Sequence, residues 1–165
     1  MNSIKINTFI LLFVLAQLVK TASSQNDYFA DPVDIPIFLS GNFCELRPNH
    51  FHGGLDFKTQ QRIGLPIYSA AEGFIYRIVV SPTGYGKALY VEHPNGTSSV
   101  YAHLHRFRDD IEAYVKSEQY NRESFAVDLS PDKKLFTVGK RELIAFSGNT
   151  GSSGGPHLHF EIRDT

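Results

Sequence analysis

Short apolar runs separated by clusters of Gly, Pro, Asn and Ser recur along most of the chain. This spacing predicts antiparallel strands joined by tight turns. The expected strands are Gly54 to Phe57, Ile67 to Ala70, Gly73 to Val80, Lys87 to His93, Thr97 to His105, Ser124 to Leu129, Leu135 to Val138, Leu143 to Ser147 and His157 to Arg163. Turns fall at Ser81-Pro82-Thr83-Gly84, at Ser130-Pro131-Asp132 and at Pro94-Asn95-Gly96, where Asn-Gly is a strong hairpin signal. Asn95-Gly96-Thr97 also matches a glycosylation acceptor, which a tight turn explains without modification. One segment has another period. Ile111, Tyr114 and Val115 follow the i, i+3, i+4 spacing of a buried helical face, with Asp109 and Asp110 as caps and an end near Asn121. The pattern is that of a mainly β domain with one short helix.

The beginning of the chain reads differently. Lys5 precedes an apolar stretch from Phe9 to Val19, and Ala22, Ser23 and Ser24 then form a small-residue cleavage site before Gln25. Residues 1–24 are therefore expected to be a secretory signal, too short in its apolar part to span a bilayer of roughly 30 Å. Residues 25–36 read as a linker and 37–165 as the folded domain, with no transmembrane segment after cleavage. Thr165 follows directly on the last expected strand, so the chain is expected to be part of a longer protein or truncated at that end.

Length and composition narrow the classes. The 165 residues suffice for one domain, and 42% hydrophobic with 20% charged residues excludes disorder and coiled coil. The formal charge of −1, which becomes −3 once Lys5 and Lys20 leave with the signal, comes without any polybasic run. No nucleic-acid partner is indicated. Cys44 is the only cysteine, so an exported product folds without an internal disulfide, and a thiolate zinc finger is excluded. Nothing in the sequence speaks to oligomeric state.

The histidines carry the chemistry. Six of the seven form His-x-His pairs, His50/His52, His103/His105 and His157/His159, where random placement gives roughly 0.3 such pairs. On a strand, i and i+2 project from one face about 6.6–6.8 Å apart, a spacing suited to converging on a shared ion. His52 and Asp56 flank Gly53-Gly54, and two glycines argue against a helix, so a tight turn is expected to aim both side chains into one cleft. In Gly154-Gly155-Pro156-His157-Leu158-His159-Phe160-Glu161, Leu158 and Phe160 should face the interior, with His157, His159 and Glu161 on the cleft side. Either histidine of that pair suits a metal, and Glu161 suits a role in orienting one of them. Tyr101, His103 and His105 should share a face opposite Ala102 and Leu104, with His103 the better site residue and His105 solvated. His93 reads as structural or exposed, and His50 as a neighbour of the site.

These segments together resemble the lysostaphin-type, or LytM-like, zinc metalloendopeptidases. The resemblance rests on His52-x-x-x-Asp56, Tyr101-Ala102-His103-Leu104, and Ser147-Gly148-Asn149-Thr150-Gly151 through His157-Leu158-His159-Phe160-Glu161, in the family's order, and spans Phe38 to Arg163. Asn49-His50-Phe51-His52 and Ile37 to Phe43 resemble exported members of the family from Gram-negative, Bacteroidetes-like bacteria. The resemblance implies a central antiparallel β-sheet with a cleft and one Zn2+ per domain held by His52, Asp56 and His159. It implies His103 and His157 as catalytic histidines and the peptide stems or cross-bridges of peptidoglycan as substrate. Location would be periplasmic or extracellular, at the cell wall. The reaction would be hydrolysis by metal-activated water without a covalent intermediate, since Cys44 lacks a legible partner and no Gly-x-Ser-x-Gly elbow occurs. The family also has non-catalytic modules that bind the wall or activate another hydrolase, the alternative function here. Relative to the family, residues 106–142 form an insertion expected to roof the cleft, and the abrupt end is expected to leave a sheet edge unpaired.

Overall fold

Alternating apolar residues from Gly73 to Leu104 build three long consecutive strands, and the last strand of the chain joins them from far away in sequence. The computed structural model describes residues 28–48 and 50–164; the expected signal lies outside them. The main sheet contains β1 (Leu39–Gly41), β2 (Leu55–Lys58), β4 (Gly73–Val80), β5 (Lys87–Glu92), β6 (Thr97–Leu104), β8 (Val127–Leu129), β9 (Thr137–Val138) and β11 (His157–Asp164). Its order is β1-β2-β11-β6-β5-β4-β8, with β9 also paired to β4, and its pairings are antiparallel. A smaller sheet runs β3 (Pro66–Tyr68), β10 (Leu143–Phe146) and β7 (Arg106–Phe107) in the order β3-β10-β7. Among the described residues there is one helix, α1, spanning Asp109–Asn121.

The two faces of the main sheet differ. Ile75, Ile78, Leu89, Val91, Tyr101, Leu104, Leu158 and Phe160 point into the principal core, where Ile111 and Val115 of α1 and Ile67, Phe107 and Ile144 of the smaller sheet meet them. The opposite face carries a small cluster of Ala88, Tyr90, Val100 and Ala102, partly covered by Tyr76, Val79 and Tyr85. His103, His157 and His159 stand on this second face.

Several expectations are revised. Residues 106–142 do not roof the cleft: Val127, Leu129, Phe136 and Val138 pack with α1 into the principal core, on the face away from the histidines. β11 is no edge, because β2 and β6 pair with it on both sides. The described part of the expected linker is packed on the domain, with Val33 buried, the Ala30 N–H bonded to Ala70 O and the Tyr68 N–H to Pro32 O. Asp109 and Asp110 lie inside the first helical turn, where they favour the positive end of the helix dipole, and Arg108 is the N-cap without a side-chain cap bond. The Asn-Gly hairpin forms as expected. Gly96 (φ 81°) takes the left-handed position after a turn closed from Gly96 N–H to His93 O.

Candidate metal centre and cleft

The β2–β11 pairing brings the two halves of the site together. Asp56 on β2 lies directly opposite His159 on β11, and Lys58 opposite His157. His52 reaches the same spot from the preceding loop, whose backbone is tied down by Cys44 N–H to His52 O and His52 N–H to Glu45 O. His52 Nε2, Asp56 Oδ1 and His159 Nδ1 converge: the two nitrogens are 2.9 Å apart and each lies 3.0 Å from the oxygen. All three residues are buried.

The glycines between His52 and Asp56 work differently from the expected tight turn. Neither has a left-handed backbone; the left-handed glycines are Gly64, Gly84, Gly86, Gly96 and Gly151. Gly54 is required by close approach instead. A Cβ there would stand 2.4 Å from Phe160 O and 2.7 Å from Glu161 Cγ, whereas one at Gly53 would meet nothing nearer than 3.5 Å.

Hydrogen bonds fix which ring nitrogen of each histidine faces inward. His52 Nδ1–H donates to Asn42 O at 2.8 Å, which leaves Nε2 with its lone pair toward Asp56. His159 Nε2–H donates to Glu161 Oε1 at 2.7 Å, which leaves Nδ1 for the centre. Glu161 is held in turn by Tyr85 Oη and, at 2.5 Å, by Arg163 Nε. Burial opposes its charge, but the bonds from His159, Arg163 and Tyr85 prevail and hold its pKa at about 2. Burial likewise opposes ionisation of Asp56, yet the imidazoles of His157, His159 and His52 that surround it favour the carboxylate whenever they carry a second proton, and hold it well below the usual carboxylate range. Arg47 NH2 takes the other oxygen, Oδ2, at 3.0 Å.

The donor chemistry fits a metal ion. Two imidazole lone pairs and a carboxylate oxygen face one another with their remaining atoms already bonded, an arrangement of acceptors that a cation satisfies. Tetrahedral zinc at about 2.0–2.2 Å asks for donor separations of about 3.3–3.6 Å, a few tenths beyond those found. Among the described residues, His52, Asp56 and His159 are the group of this kind.

Two more imidazoles border the group. His103 and His157 lie with ring centroids 4.7 Å apart, and His103 is 5.9 Å from the His159 ring. His157 Nδ1–H donates to Gly155 O at 2.8 Å, and its Nε2 lies 3.5 Å from Asp56 Oδ1. His103 Nδ1–H donates to Thr150 O at 2.9 Å. Burial lowers the His103 pKa to about 4, with the neighbouring His157 and His159 acting in the same direction, so its ring is neutral near pH 7.

His103 reaches the site by a departure from regular strand geometry. Tyr101 pairs with Leu89, and Leu104 with Lys87, so β6 carries one more residue than β5 between these points. The extra residue falls at Ala102–His103, and His103 itself has φ 59°. Tyr101 and Leu104 therefore both face the core, while Ala102 and His103 both face the cleft. The expected common face of Tyr101 and His103, opposite Ala102, does not form, because the bulge resets the alternation. Thr150 spans the break: its Oγ1 accepts from Lys87 N–H at 2.9 Å and donates to Leu104 O at 2.9 Å.

Other histidines sort as their surroundings dictate. His93 is buried, bonded to Glu72 O and Ser99 Oγ, and structural. His105 is exposed, and His50 lies on the cleft wall. Arg47 and Tyr85 were not legible as site residues. Arg47 arrives from an irregular loop, and the one hint of Tyr85 is its place between Gly84 (φ 60°) and Gly86 (φ 65°).

Peptidase family M23 matches residues 50–120, a span that includes His52, Asp56 and His103. The chain carries a domain of peptidase family M23. A DD-carboxypeptidase/endopeptidase Mpg from Neisseria meningitidis is 33% identical over 112 residues, 68% of this chain and 20% of that protein. The peptidoglycan DD-endopeptidase ShyA of Vibrio cholerae is 28% identical over 146 residues, 85% of this chain and 28% of that one. The crystal structure of a zinc containing peptidase from Vibrio cholerae superposes with a TM-score of 0.61 at 27% identity, over 83% of this chain and 37% of that one. The M23 chain described here thus spans only about a fifth to under a third of these curated relatives. Its large antiparallel sheet and the short helix α1 match the lysostaphin-type, LytM-like M23 fold expected from the motifs. Among the described residues, no helix is long and apolar enough to cross a membrane.

Proposed function

We propose that residues 37–165 form a zinc metalloendopeptidase domain that hydrolyses peptide bonds in peptidoglycan stems or cross-bridges, delivered outside the cytoplasm by the leader at 1–24. The observation that carries this reading is the convergence of His52 Nε2, Asp56 Oδ1 and His159 Nδ1, each with its tautomer or charge set by a second bond. The relatives named as DD-endopeptidases and as a zinc containing peptidase support it.

His52, Asp56 and His159 would hold the ion. When bound, zinc supplies Lewis acidity, lowering the pKa of water toward about 7 and polarising a carbonyl. The chain's own residues move the protons. His103, neutral and with Nδ1 committed to Thr150 O, has Nε2 as its basic atom and can take a proton from the attacking water. His157, with Nδ1–H committed to Gly155 O, has Nε2 as its second protonation site, and in the doubly protonated form can donate from Nε2 to the oxyanion or the leaving amine. Tyr85 and Arg163 hold Glu161, and Glu161 holds the His159 ring in place.

Zinc content and release of soluble fragments from purified peptidoglycan test this together. The wild-type chain should bind one zinc and release fragments. His52→Ala should lose both, and His103→Ala should keep zinc while activity falls by roughly 100-fold or more. Equal loss of zinc from the two variants would overturn the assignment of roles. Zinc binding by the wild type without cleavage would leave the non-catalytic wall-binding module instead. An exported product whose N-terminus is Gln25 would establish the leader.

A further inference from the structure

The cleft has two lobes that meet at Arg47, Asp56, Gly154 and His157. One contains His103 and Tyr85. The other, a groove of about 560 Å³, extends past Ser40, Lys58, Gln60 and Gln61 and contributes nothing to the chemistry derived above.

Its composition is one-sided. Among the described residues the one carboxylate on its wall is Asp56, whose Oδ1 is ringed by His52, His157 and His159 and whose Oδ2 is taken by Arg47. Lys58 lies two residues from Asp56 on the same face of β2 and directly opposite His157. Lys58 is exposed and, among the described residues, its ammonium has no hydrogen bond or ion pair. Arg47 adds a second cation to the wall, and its Nε is buried without a partner. The far wall is a turn from Thr59 to Arg62, closed by Arg62 N–H to Thr59 O and by Thr59 Oγ1 to Arg62 O. Gln60 (φ 56°) and Gln61 (φ 58°) both stand in the left-handed region there, a conformation glycine or asparagine adopts with less steric conflict. Arg62 engages Gln60 Oε1, so the Gln60 amide presents its N–H groups. Non-glycine residues held in such a conformation beside a reactive centre are a mark of function.

From this placement we infer that the Lys58 lobe is a subsite for a free carboxylate on the substrate peptide, within about two residues of the amide that is cut. The distance follows from the strand. Residues i and i+2 are about 6.6–6.8 Å apart, which is about two residues of extended peptide. The inference rests on the endopeptidase reading and names its substrate class as an acidic peptide, with the carboxylate on the side of the metal group away from His103.

The test uses the zinc-loaded chain and dye-labelled peptides released from purified peptidoglycan, either untreated or with their carboxylates converted to carboxamides. Binding is followed by fluorescence polarisation, and fragment release from intact peptidoglycan is measured in parallel. The wild type should bind the untreated peptides about tenfold or more tighter than the amidated ones. Lys58→Ala and Lys58→Glu should bring that ratio to about one, and Lys58→Arg should retain it. Synthetic peptides amidated only at the terminus or only at a side chain assign which carboxylate is read. Fragment release without any preference, or a preference that survives in Lys58→Ala, overturns the subsite while the endopeptidase reading stands. A Lys58-dependent preference without release keeps the subsite and overturns the endopeptidase reading; absence of both overturns both.

Discussion

Glu161 Oε1 accepts the Nε2–H of His159 at 2.7 Å, and this bond decides which nitrogen of that ring faces Asp56. Removing the carboxylate frees the ring to turn or to protonate the wrong atom. Glu161→Ala should weaken zinc affinity by about 10–100-fold, and Glu161→Gln, whose amide oxygen can still accept, by less. Competition with a chromophoric chelator reads this without any assay of activity.

The same carboxylate makes the metal-free protein sensitive to acid. Its folded pKa of about 2 lies below its ordinary value of 4.5, so between those values the unfolded chain binds more protons than the folded one. The contribution is therefore complete above about pH 4.5 and is lost as pH falls toward 2, and Asp56 acts in the same direction. Thermal midpoints of the chelator-treated protein should fall from about pH 6 to about pH 2.5, and more steeply in the wild type than in Glu161→Gln. Parallel curves would remove Glu161 from the account.

Gly53 and Gly54 are neighbours with opposite tolerance. Gly54→Ala forces a methyl to 2.4 Å from a backbone oxygen of β11, which cannot retreat without moving His159. It should destabilise by about 1–3 kcal/mol and lower zinc affinity. Gly53→Ala meets ordinary contacts and should be neutral or slightly stabilising, since it also reduces the freedom of the unfolded chain. Denaturant midpoints of the two variants check the difference.

Thr150 holds the bulge that turns His103 outward. Thr150→Val keeps the shape and the backbone carbonyl but leaves Lys87 N–H and Leu104 O without their shared hydroxyl. The expected loss is about 1–3 kcal/mol of stability. If His103 is the proton acceptor, activity on peptidoglycan should fall by roughly 10–100-fold with zinc content unchanged.

Much of this was written in the chain. The alternation Leu158/Phe160 against His157/His159/Glu161 gave the inner and outer faces of β11, and the helix fell on Asp109–Asn121 as its periodicity required. The convergence of His52, Asp56 and His159 was likewise expected from motif resemblance and is found in space. What escaped follows from physics that a local pattern does not hold. The bulge at His103 is set by Thr150 and Lys87, partners distant in sequence, so simple alternation assigned Tyr101 and His103 to one face. β1 and β7 are too short to show a period, and Arg47 enters through a loop whose course is set by its pairing across Leu46 and Phe51. The glycine pair was recognised as special for its backbone freedom, while the requirement at Gly54 comes from a strand arriving about a hundred positions later.

Residues 106–142 build on the side of the sheet turned away from His52, His103, His157 and His159, and supply none of the residues that line the cleft. Tyr120 and Phe125, both largely exposed there, are positions where a dye or an affinity handle can be attached without obstructing what enters the cleft.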